Sequence, residues 1–344
     1  MSIRLAHVTK AFGEHRAVDD VSFEVPENAF FCVVGPSGCG KSTLLRLIAG
    51  LESPDAGEIA LDGAAVAGPG GMVPPEARRV GVVFQSYALW PHLTVAGNVA
   101  FPYEARGLSR AEARQKAEAH LRTVALEALA GRRPEALSGG QRQRVALARC
   151  LAGDARTILM DEPLANLDPH LRSAMEVELR GFHDRSGVTT LFITHDQREA
   201  VALADVMAVM DKGRILQIGT PQEVFERPRC EMVARFIGRG ALLRAEVAGG
   251  VARIGGQAVP VAGEGEGGGG GARAILFRPA DVTLAEGGLA ARLSAVSYRG
   301  GHWEAMAEVP GLAEPLALDL ARPARVGDAV GLRLTGGWVL PEGG

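Results

Sequence analysis

Residues 35–43 read Gly35-Pro36-Ser37-Gly38-Cys39-Gly40-Lys41-Ser42-Thr43, which satisfies the pattern G-x-x-x-x-G-K-S. An apolar run, residues 29–34, precedes this stretch, and a helical pattern of leucine and isoleucine follows it from residue 44. Glycines let backbone N–H groups face a phosphate, and the following helix presents its positive end to the same anion. Strand, loop and helix in this order therefore predict a phosphate-binding loop rather than a plain glycine-rich turn.

A second apolar run, residues 157–160, ends in two carboxylates, Asp161 and Glu162. Its length is typical of a strand buried on both faces, and such a strand would place Asp161 beside the phosphate loop. There Asp161 and Ser42 would hold Mg²⁺, while Lys41 would reach the β- and γ-phosphates of a nucleotide. Glu162 would polarise the attacking water. In isolation the two carboxylates would equally suit a solvated turn, so the catalytic interpretation depends on the phosphate loop.

Between these motifs lies Leu137-Ser138-Gly139-Gly140-Gln141. Ser138 is a favourable N-cap, and the residues after it, 141–152, are predicted to form a helix with apolar positions at Val145, Leu147, Ala148 and Leu151. The positive end of this helix would be a second anion site, with a hydroxyl from Ser138 and a backbone N–H from Gly140. An ordinary loop and cap is the alternative, and the order of the motifs favours the anion site.

In this order the motifs resemble those of the nucleotide-binding subunits of ATP-binding cassette transporters, over about residues 1–240. The resemblance implies an α/β fold, a RecA-like P-loop ATPase core with an inserted α-helical subdomain. It also implies that ATP is sandwiched between two copies of the chain, with Lys41 from one copy and Ser138 from the other. Residues 165–168, Ala165-Asn166-Leu167-Asp168, resemble the loop that crosses the interface of that dimer.

The resemblance assigns three residues that the patterns alone leave open. Phe12 matches the aromatic that stacks on adenine, Gln85 the glutamine that contacts Mg²⁺ and the attacking water, and His195 the histidine that contacts the γ-phosphate. Without that context Phe12 and His195 would be ordinary structural residues. The implied catalytic residues are Gln85, Glu162 and His195, and the implied Mg²⁺ ligands are Ser42, Gln85 and Asp161. The implied ATP-binding residues are Phe12, Gly35, Pro36, Ser37, Gly38, Cys39, Gly40, Lys41, Ser42, Thr43, Ser138, Gly139, Gly140 and Gln141.

The composition bounds the class of protein. The chain has 344 residues, of which 47% are apolar, enough for more than one hydrophobic core. The net charge of −3 and the pI near 6.3 do not indicate a nucleic-acid partner. Neither a leader pattern nor an apolar run of about 18 residues is present, so we expect a cytoplasmic protein, peripheral to the inner membrane.

The four cysteines, Cys32, Cys39, Cys150 and Cys230, show no metal-ligand spacing. We expect them to be core residues in a reducing compartment. Cys39 differs because it lies inside the phosphate loop. We therefore predict that a thiol reagent blocks activity and that ATP protects against it.

Strand patterns surround the phosphate loop at residues 3–8, 21–25 and 58–61, and another precedes Gln85 at residues 80–84. Further strand patterns at 157–160 and 189–194 alternate with helices, which predicts a mostly parallel sheet. A helix is predicted from Ser109, with Glu112 in the capping-box position, to about Ala130. These patterns predict an ATPase domain over residues 1–238 with a helical subdomain at about 90–155.

The segment 86–102 is where the resemblance places docking of a membrane subunit. Trp90, Phe101 and Tyr103 would be exposed aromatic anchors for a helix of that partner. Internal packing between two subdomains would use the same side chains, and we favour docking.

Residues 239–344 are predicted to form a small all-β domain, with strand-like runs at 242–247, 251–254, 274–277, 290–298 and 330–334 and a flexible hairpin loop at 267–271. Arg278-Pro279-Ala280-Asp281-Val282 resembles the Arg-Pro-Glu-Asp motif of the OB-like TOBE barrel of importer ATPases, although Ala280 departs from it. The resemblance favours an importer over an exporter. The region is shorter than the two-lobed form of sugar importers, which makes a sugar substrate less favoured.

The predicted function is the ATP-hydrolysing homodimeric subunit of a bacterial-type importer, which works with permease subunits and, through them, a substrate-binding protein. The segments 85–92 and 236–238 resemble those of ferric-iron, polyamine and phosphonate importers, and we place ferric iron first. A P-loop kinase or GTPase switch would share Lys41 and Asp161 but would need neither residues 137–141 nor His195. A chromosome-organising or repair ATPase of the same superfamily would carry long heptad arms, which the sequence lacks.

Overall fold

The computed structural model describes residues 2–165, 167–263 and 271–341. The chain divides into two compact units, Met1–Pro221 and Gln222–Gly344, each described by itself below. The predicted domain boundary after residue 238 stays a prediction, as do the bounds of the helical subdomain. Asn166 of the predicted interface loop and residues 267–270 of the predicted hairpin loop lie outside the described residues.

The elements of the first unit, in chain order, are β1 (Ile3–Phe12), β2 (His15–Val25), β3 (Phe30–Val34), α1 (Lys41–Ala49), β4 (Ala56–Leu61), β5 (Ala64–Gly68), β6 (Gly71–Met72), β7 (Val80–Val83), α2 (Val95–Ala105), α3 (Arg110–Thr123), α4 (Gly139–Ala152), β8 (Thr157–Asp161), α5 (Pro169–Ser186), β9 (Thr189–Thr194), α6 (Gln197–Leu203), β10 (Val206–Asp211) and β11 (Arg214–Gly219).

A mostly parallel sheet, in the order β11-β10-β3-β9-β8-β7, forms the centre of this unit, and β11 runs antiparallel to β10. Every residue of β3 is buried, as its continuous apolar run predicted, and every residue of β9 is buried as well. The carboxyl ends of three strands lie level, because Val34 pairs with Thr194 and Asp161 pairs with Ile193. The loops that follow β3, β8 and β9 therefore lie along one edge of the sheet.

A second sheet is antiparallel, in the order β2-β1-β4-β5-β6. Its inner face buries alternate residues, among them Ile3, Leu5 and Ile59, in one core with α1 and the parallel sheet. Phe23 of β2 stacks on Phe31 of β3 with ring centroids 5.2 Å apart. The strands predicted in this region are confirmed.

Between β7 and β8 the chain forms helices α2, α3 and α4, and one predicted helix end is wrong. Ser109 and Glu112 form the predicted capping box, but α3 ends at Thr123 and not near Ala130. The chain leaves the helix through Ala125, whose φ of 53° lies in the left-handed region, and it buries Val124 and Leu126 on the way. A continued helix would place these two side chains on different faces. The free energy gained by burying both outweighs the free energy of continuing the helix.

The remaining elements are α7 (Pro221–Glu226), α8 (Glu231–Phe236), β12 (Ala241–Ala248), β13 (Val251–Ile254), β14 (Gln257–Pro260), β15 (Ala262–Gly263), β16 (Ala272–Phe277), β17 (Val282–Tyr298), β18 (Trp303–Glu308), β19 (Leu316–Leu320), β20 (Ala329–Leu334) and β21 (Trp338–Val339). The strands form two sheets, β14-β13-β12-β16-β21-β15 and β19-β18-β17-β20, around one apolar core. The all-β character predicted for residues 239–344 is confirmed. None of the described helices has both the length and the apolar character needed to cross a bilayer.

Candidate active site

The phosphate loop, residues 35–40, joins β3 to α1 and requires glycine at two places. A Cβ atom at Gly40 would lie 1.9 Å from the carbonyl oxygen of Ala17, and one at Gly35 would lie 2.0 Å from that of Met210. Gly40 also has a φ of 111°, a left-handed conformation that side chains disfavour. Ser37 and the other loop glycine face solvent, so the outer side of the loop is accessible.

The side chain of Lys41 lies inside this loop and is only 4% exposed. Its Nζ donates hydrogen bonds to the carbonyl oxygens of Gly35 (2.8 Å) and Pro36 (2.9 Å) and lies 3.7 Å from Sγ of Cys39. Burial raises the pKa of the Cys39 thiol above its ordinary value, although Lys41 opposes the shift. The loop thus holds one cation at its centre, and the half-buried Thr43 follows in α1.

Ser42, at the start of α1, contacts the end of β8. Its Oγ donates a hydrogen bond to Oδ1 of Asp161 at 2.9 Å. Burial raises the pKa of the Asp161 carboxyl, more than the Ser42 hydrogen bond lowers it. A hydroxyl and a carboxylate are hard oxygen ligands, which Mg²⁺ prefers, and a cation beside them would favour the charged carboxylate. These two side chains therefore fit a Mg²⁺ site.

Glu162 and His195 meet at the same edge of the sheet. Oε2 of Glu162 lies 3.0 Å from Nδ1 of His195, and the backbone N–H of Glu162 donates to the carbonyl oxygen of Ile193 at 3.0 Å. Glu162 has a φ of 45°, a left-handed conformation that turns its side chain out of the strand direction. The structure thus brings together two of the residues that sequence analysis singled out as catalytic.

Residues 137–141 are called the signature stretch below, and α4, which follows from it, the signature helix. The helix begins at Gly139, two residues before the expected start. Ser138 caps it: Oγ of Ser138 accepts from the N–H of Gln141 at 3.3 Å, and Oε1 of Gln141 accepts from the N–H of Ser138 at 3.0 Å. The amides of Gly139 and Gly140 have no acceptor within the helix. A Cβ atom at Gly139 would lie 2.7 Å from Cδ2 of Leu167, so the helix start packs closely on the loop after β8. This end of α4 is suited to bind an anion.

Gln85 is exposed in the loop after β7, where it lies near the signature helix. Gln85, Ser86, Tyr87, Gly139 and Arg142 line one pocket of about 190 Å³. The loop that follows β7 and the start of α4 therefore share a cavity that is open to solvent.

Phe12 lies at the tip of the hairpin formed by β1 and β2, where it pairs with His15. Its ring is 50% exposed, and Nζ of Lys10 lies 5.4 Å from the ring centroid. An exposed ring of this kind offers a face on which a base can stack.

The three predicted docking aromatics differ in their surroundings. The rings of Trp90 and Phe101 are in contact, with centroids 4.2 Å apart, and Phe101 is 40% exposed. The hydroxyl of Tyr103 is hydrogen-bonded to Nε2 of His120 at 2.7 Å, so Tyr103 packs within the helical segment. Phe101 is therefore the most exposed of the three side chains, and Trp90 and Tyr103 are partly buried.

Sequence analysis missed Arg172 in α5, which joins two loops of the site. Its guanidinium donates to Oδ2 of Asp196 at 3.3 Å and to the carbonyl oxygen of Leu167 at 3.4 Å, and its Nε lies 3.5 Å from Oε1 of Glu199. Asp196 directly follows His195. An arginine in a charged helix resembles a surface residue, so no signal in the sequence distinguished it.

Comparison with known proteins gives consistent results for both units. A family profile described as "ABC transporter" matches residues 18–165, and one described as "TOBE domain" matches residues 275–340. The chain is 45% identical over 304 residues to the spermidine/putrescine import ATP-binding protein PotA of Methylococcus capsulatus, covering 85% of this chain and 78% of that protein. It is 43% identical over 304 residues to the sulfate/thiosulfate import ATP-binding protein CysA of Caulobacter vibrioides, covering 87% of each.

Among solved structures, the fold is similar to a dimeric post-hydrolysis state of the ATP-binding cassette MJ0796 bound to ADP and phosphate. The TM-score is 0.54 at 31% sequence identity, and the match covers 64% of this chain and 98% of that one.

Proposed function

Because this chain belongs to the ATP-binding cassette transporter family and is an importer-type ATPase subunit with a C-terminal TOBE domain, we propose that two copies of it bind ATP at a shared interface and drive solute import. The family membership contradicts the kinase and GTPase alternatives considered above. The proposal for the shared site is carried by one observation. Ser42 contacts Asp161 and Glu162 contacts His195 at one edge of the sheet, whereas the start of the signature helix at Gly139 packs on Leu167.

In each copy residues 35–43 hold the triphosphate. Backbone N–H groups of the loop and the N-terminus of α1 face the phosphates, and Lys41 exchanges its carbonyl partners for phosphate oxygens. Ser42 and Asp161 would hold Mg²⁺, with Gln85 as a further ligand in the proposal. When bound, the ion offsets the negative charge on the β- and γ-phosphate oxygens. Phe12 stacks on the adenine.

Glu162 and His195 act on the γ-phosphate. Glu162 orients the attacking water and accepts its proton as the water oxygen bonds to the γ-phosphorus and the bond to the β–γ bridging oxygen breaks. His195 fixes the Glu162 carboxylate through the 3.0 Å contact and lies at the edge where the γ-phosphate would bind. Gln85 contacts the same water.

The partner copy completes the site. Its Ser138 and the amides of Gly139 and Gly140 bind the γ-phosphate from the opposite side, so that ATP joins the two copies. Closure follows because nucleotide binds the closed dimer more tightly than the open one, and hydrolysis removes that difference. The dimeric, ADP-bound relative MJ0796 supports this arrangement.

The dimer would act at the cytoplasmic face of the inner membrane with permease subunits that bind near Trp90 and Phe101, and with a substrate-binding protein through them. The relatives reported above are named for spermidine/putrescine and for sulfate/thiosulfate. We therefore place a polyamine first as the imported solute, ahead of ferric iron, which the sequence segments favoured.

Two inactive variants, mixed together, test the shared site. Lys41→Ala disables the phosphate loop and Ser138→Arg blocks the signature helix, so each variant alone should lose ATPase activity. A mixed dimer pairs the intact phosphate loop of the Ser138→Arg copy with the intact Ser138 of the Lys41→Ala copy. Random pairing of two-fold dimers should then restore up to about a quarter of the parent activity, measured as phosphate release. A mixture as inactive as its components would contradict the proposal.

Two matched controls accompany this experiment. Ser109→Arg changes the same kind of capping serine at the start of α3, outside the proposed site, and should keep its activity. Glu162→Gln should bind ATP, lose turnover and accumulate as an ATP-dependent dimer in light scattering, whereas Glu135→Gln on the exposed loop before Ser138 should behave as the parent. Turnover at the parent rate by Glu162→Gln would contradict the role given to that residue.

A further inference from the structure

Two adjacent residues of the loop after Gln85 hold a conformation that non-glycine residues disfavour. Tyr87 has a φ of 61° and Ala88 a φ of 45°, both in the left-handed region. Each such residue costs on the order of 1 kcal/mol and persists only where its surroundings hold it in place. The two φ values therefore direct attention to the groups that contact this turn.

The backbone of the turn is held by Arg149 of α4. Its Nη2 donates to the carbonyl oxygen of Tyr87 at 3.1 Å and its Nη1 donates to that of Ala88 at 2.7 Å. The same guanidinium lies over the ring of Trp90, 4.8 Å from the centroid. One side chain of the signature helix thus fixes two successive carbonyl groups of the loop that carries Gln85.

The side chain of Tyr87 reaches a third element. It is only 5% exposed, and its hydroxyl donates to the carbonyl oxygen of Pro163 at 3.3 Å, across 76 positions of sequence. Pro163 directly follows Glu162, whose own φ is 45°. Tyr87 therefore connects the turn after Gln85 to the loop that carries the proposed catalytic carboxylate.

A packing role alone does not account for this tyrosine. Phenylalanine would fill the same volume without a buried hydroxyl that needs an acceptor. Burial raises the pKa of the Tyr87 hydroxyl above its ordinary value, so the group stays a donor at neutral and moderately alkaline pH. The hydroxyl can therefore donate to the carbonyl oxygen of Pro163 at neutral pH.

We propose that Tyr87 and Arg149 are positioning residues for ATP hydrolysis, which tie the loop of Gln85 and the loop of Glu162 to the signature helix. The inference rests on the role proposed for Glu162. Neither residue touches the nucleotide: Tyr87 acts by placing the Glu162 loop, and Arg149 acts by holding the turn from which Tyr87 extends. Two loops of one ATP site are then joined to the helix that serves the ATP site of the partner copy.

The test is the Tyr87→Phe variant of the full chain, assayed for steady-state ATP hydrolysis. Loss of one hydrogen bond that places the Glu162 loop should lower kcat by a factor of about three to ten. The KM for ATP should stay within about twofold of the parent, since the Lys41 contacts are unchanged. The ratio of parent to variant kcat should be the same from about pH 7 to pH 9, because the hydroxyl stays protonated. Tyr103→Phe, which removes the hydroxyl bonded to His120, is the matched control and should leave kcat unchanged.

Arg149→Lys provides the second arm. An ammonium group cannot span two successive carbonyl groups as the planar guanidinium does, so kcat should again fall with KM unchanged. Arg144→Lys, on the same helix and bonded to the carbonyl oxygen of Val124, should not change kcat. The kcat of the double variant Tyr87→Phe/Arg149→Lys should lie within about twofold of the kcat of the slower single variant, since both residues act on one turn.

The outcomes separate this inference from the proposed function. A Tyr87→Phe enzyme with parent kcat, or an equal loss in Tyr103→Phe, would overturn the positioning role. If Glu162→Gln is inactive in the same assay while Tyr87→Phe is normal, only the positioning role fails. If Glu162→Gln turns over normally, the proposed function itself fails. Should Tyr87→Phe not fold, as judged by thermal unfolding, the comparison of Arg149→Lys with Arg144→Lys decides the matter.

Discussion

Replacement of Arg278 by methionine should destabilise the second unit strongly. The guanidinium is 7% exposed and donates to the carbonyl oxygens of Phe225 (2.9 Å), Arg239 (3.1 Å) and Ala234 (3.3 Å). It also lies over the Phe225 ring, 4.3 Å from the centroid, and burial lowers the pKa of Arg278 to about 10. Methionine would remove these three hydrogen bonds, one of them fully buried and two partly buried.

The expected loss of stability follows from these contacts. A hydrogen bond from a charged donor contributes about 1.5–3 kcal/mol, less where it is partly exposed, and the removal of a buried charge offsets part of the total. We therefore expect a net loss of about 3 kcal/mol. For a unit of about 120 residues with an unfolding entropy of about 2.1 cal/mol/K per residue, this lowers Tm by about 12 °C.

Differential scanning calorimetry of the full chain can measure this change. ATP binds the first unit and should raise its transition, which identifies the other transition as that of the second unit. Arg292→Met is the matched control, because this exposed arginine donates to one carbonyl oxygen, that of Gly327 at 2.6 Å. Its transition should move by about 2 °C or less. An equal, small shift for Arg278→Met would refute the account of Arg278 as the buried link between the helices and strands of this unit.

Three further changes are expected to have measurable effects. Since burial raises the pKa of the Cys39 thiol, alkylation followed by mass spectrometry should find Cys39 slower to react than the half-exposed Cys230 at neutral pH, with a rate that rises toward alkaline pH. Gly40→Ala should abolish the ATP-induced rise in Tm, because its Cβ would lie 1.9 Å from the carbonyl oxygen of Ala17, whereas retention of that rise would contradict the steric argument. Asp161→Asn should raise the Tm of the nucleotide-free chain at about pH 7, since the raised pKa of Asp161 means that its charged form destabilises the fold. That gain should diminish as the pH falls and the parent carboxyl takes up its proton in both the folded and the unfolded chain, and a gain that is unchanged at low pH would contradict its electrostatic origin.

Local patterns predicted those parts of the fold whose physical causes lie close together in the chain. The phosphate loop depends on the backbone of residues 35–40, and the capping boxes at Ser109 and Ser138 join residues three positions apart. The buried strand β3 is a continuous apolar run, which is typical of a sheet covered on both faces, and β9 pairs parallel to it. The level of their carboxyl ends then follows from parallel pairing.

The end of α3 at Thr123 shows where local pattern is insufficient. The sequence beyond it remains compatible with a helix, and the burial of Val124 and Leu126 against other parts of the chain decides the outcome. Helix propensities differ by only a few tenths of a kcal/mol between ordinary residues, whereas burial of one large apolar side chain contributes about 1.5–3 kcal/mol. Tertiary contacts therefore decide boundaries of this kind.

The sequence by itself thus determined the class of protein and the phosphate loop, because these depend on short motifs in a particular order. Only the tertiary structure revealed that Arg149 holds the turn at Tyr87 and that the hydroxyl of Tyr87 reaches Pro163. These hydrogen bonds join residues more than sixty positions apart, and their geometry is created by packing of the sheet and the helical segment. A side chain that acts through such distant partners has no local signature, since its neighbours in sequence are not its neighbours in space.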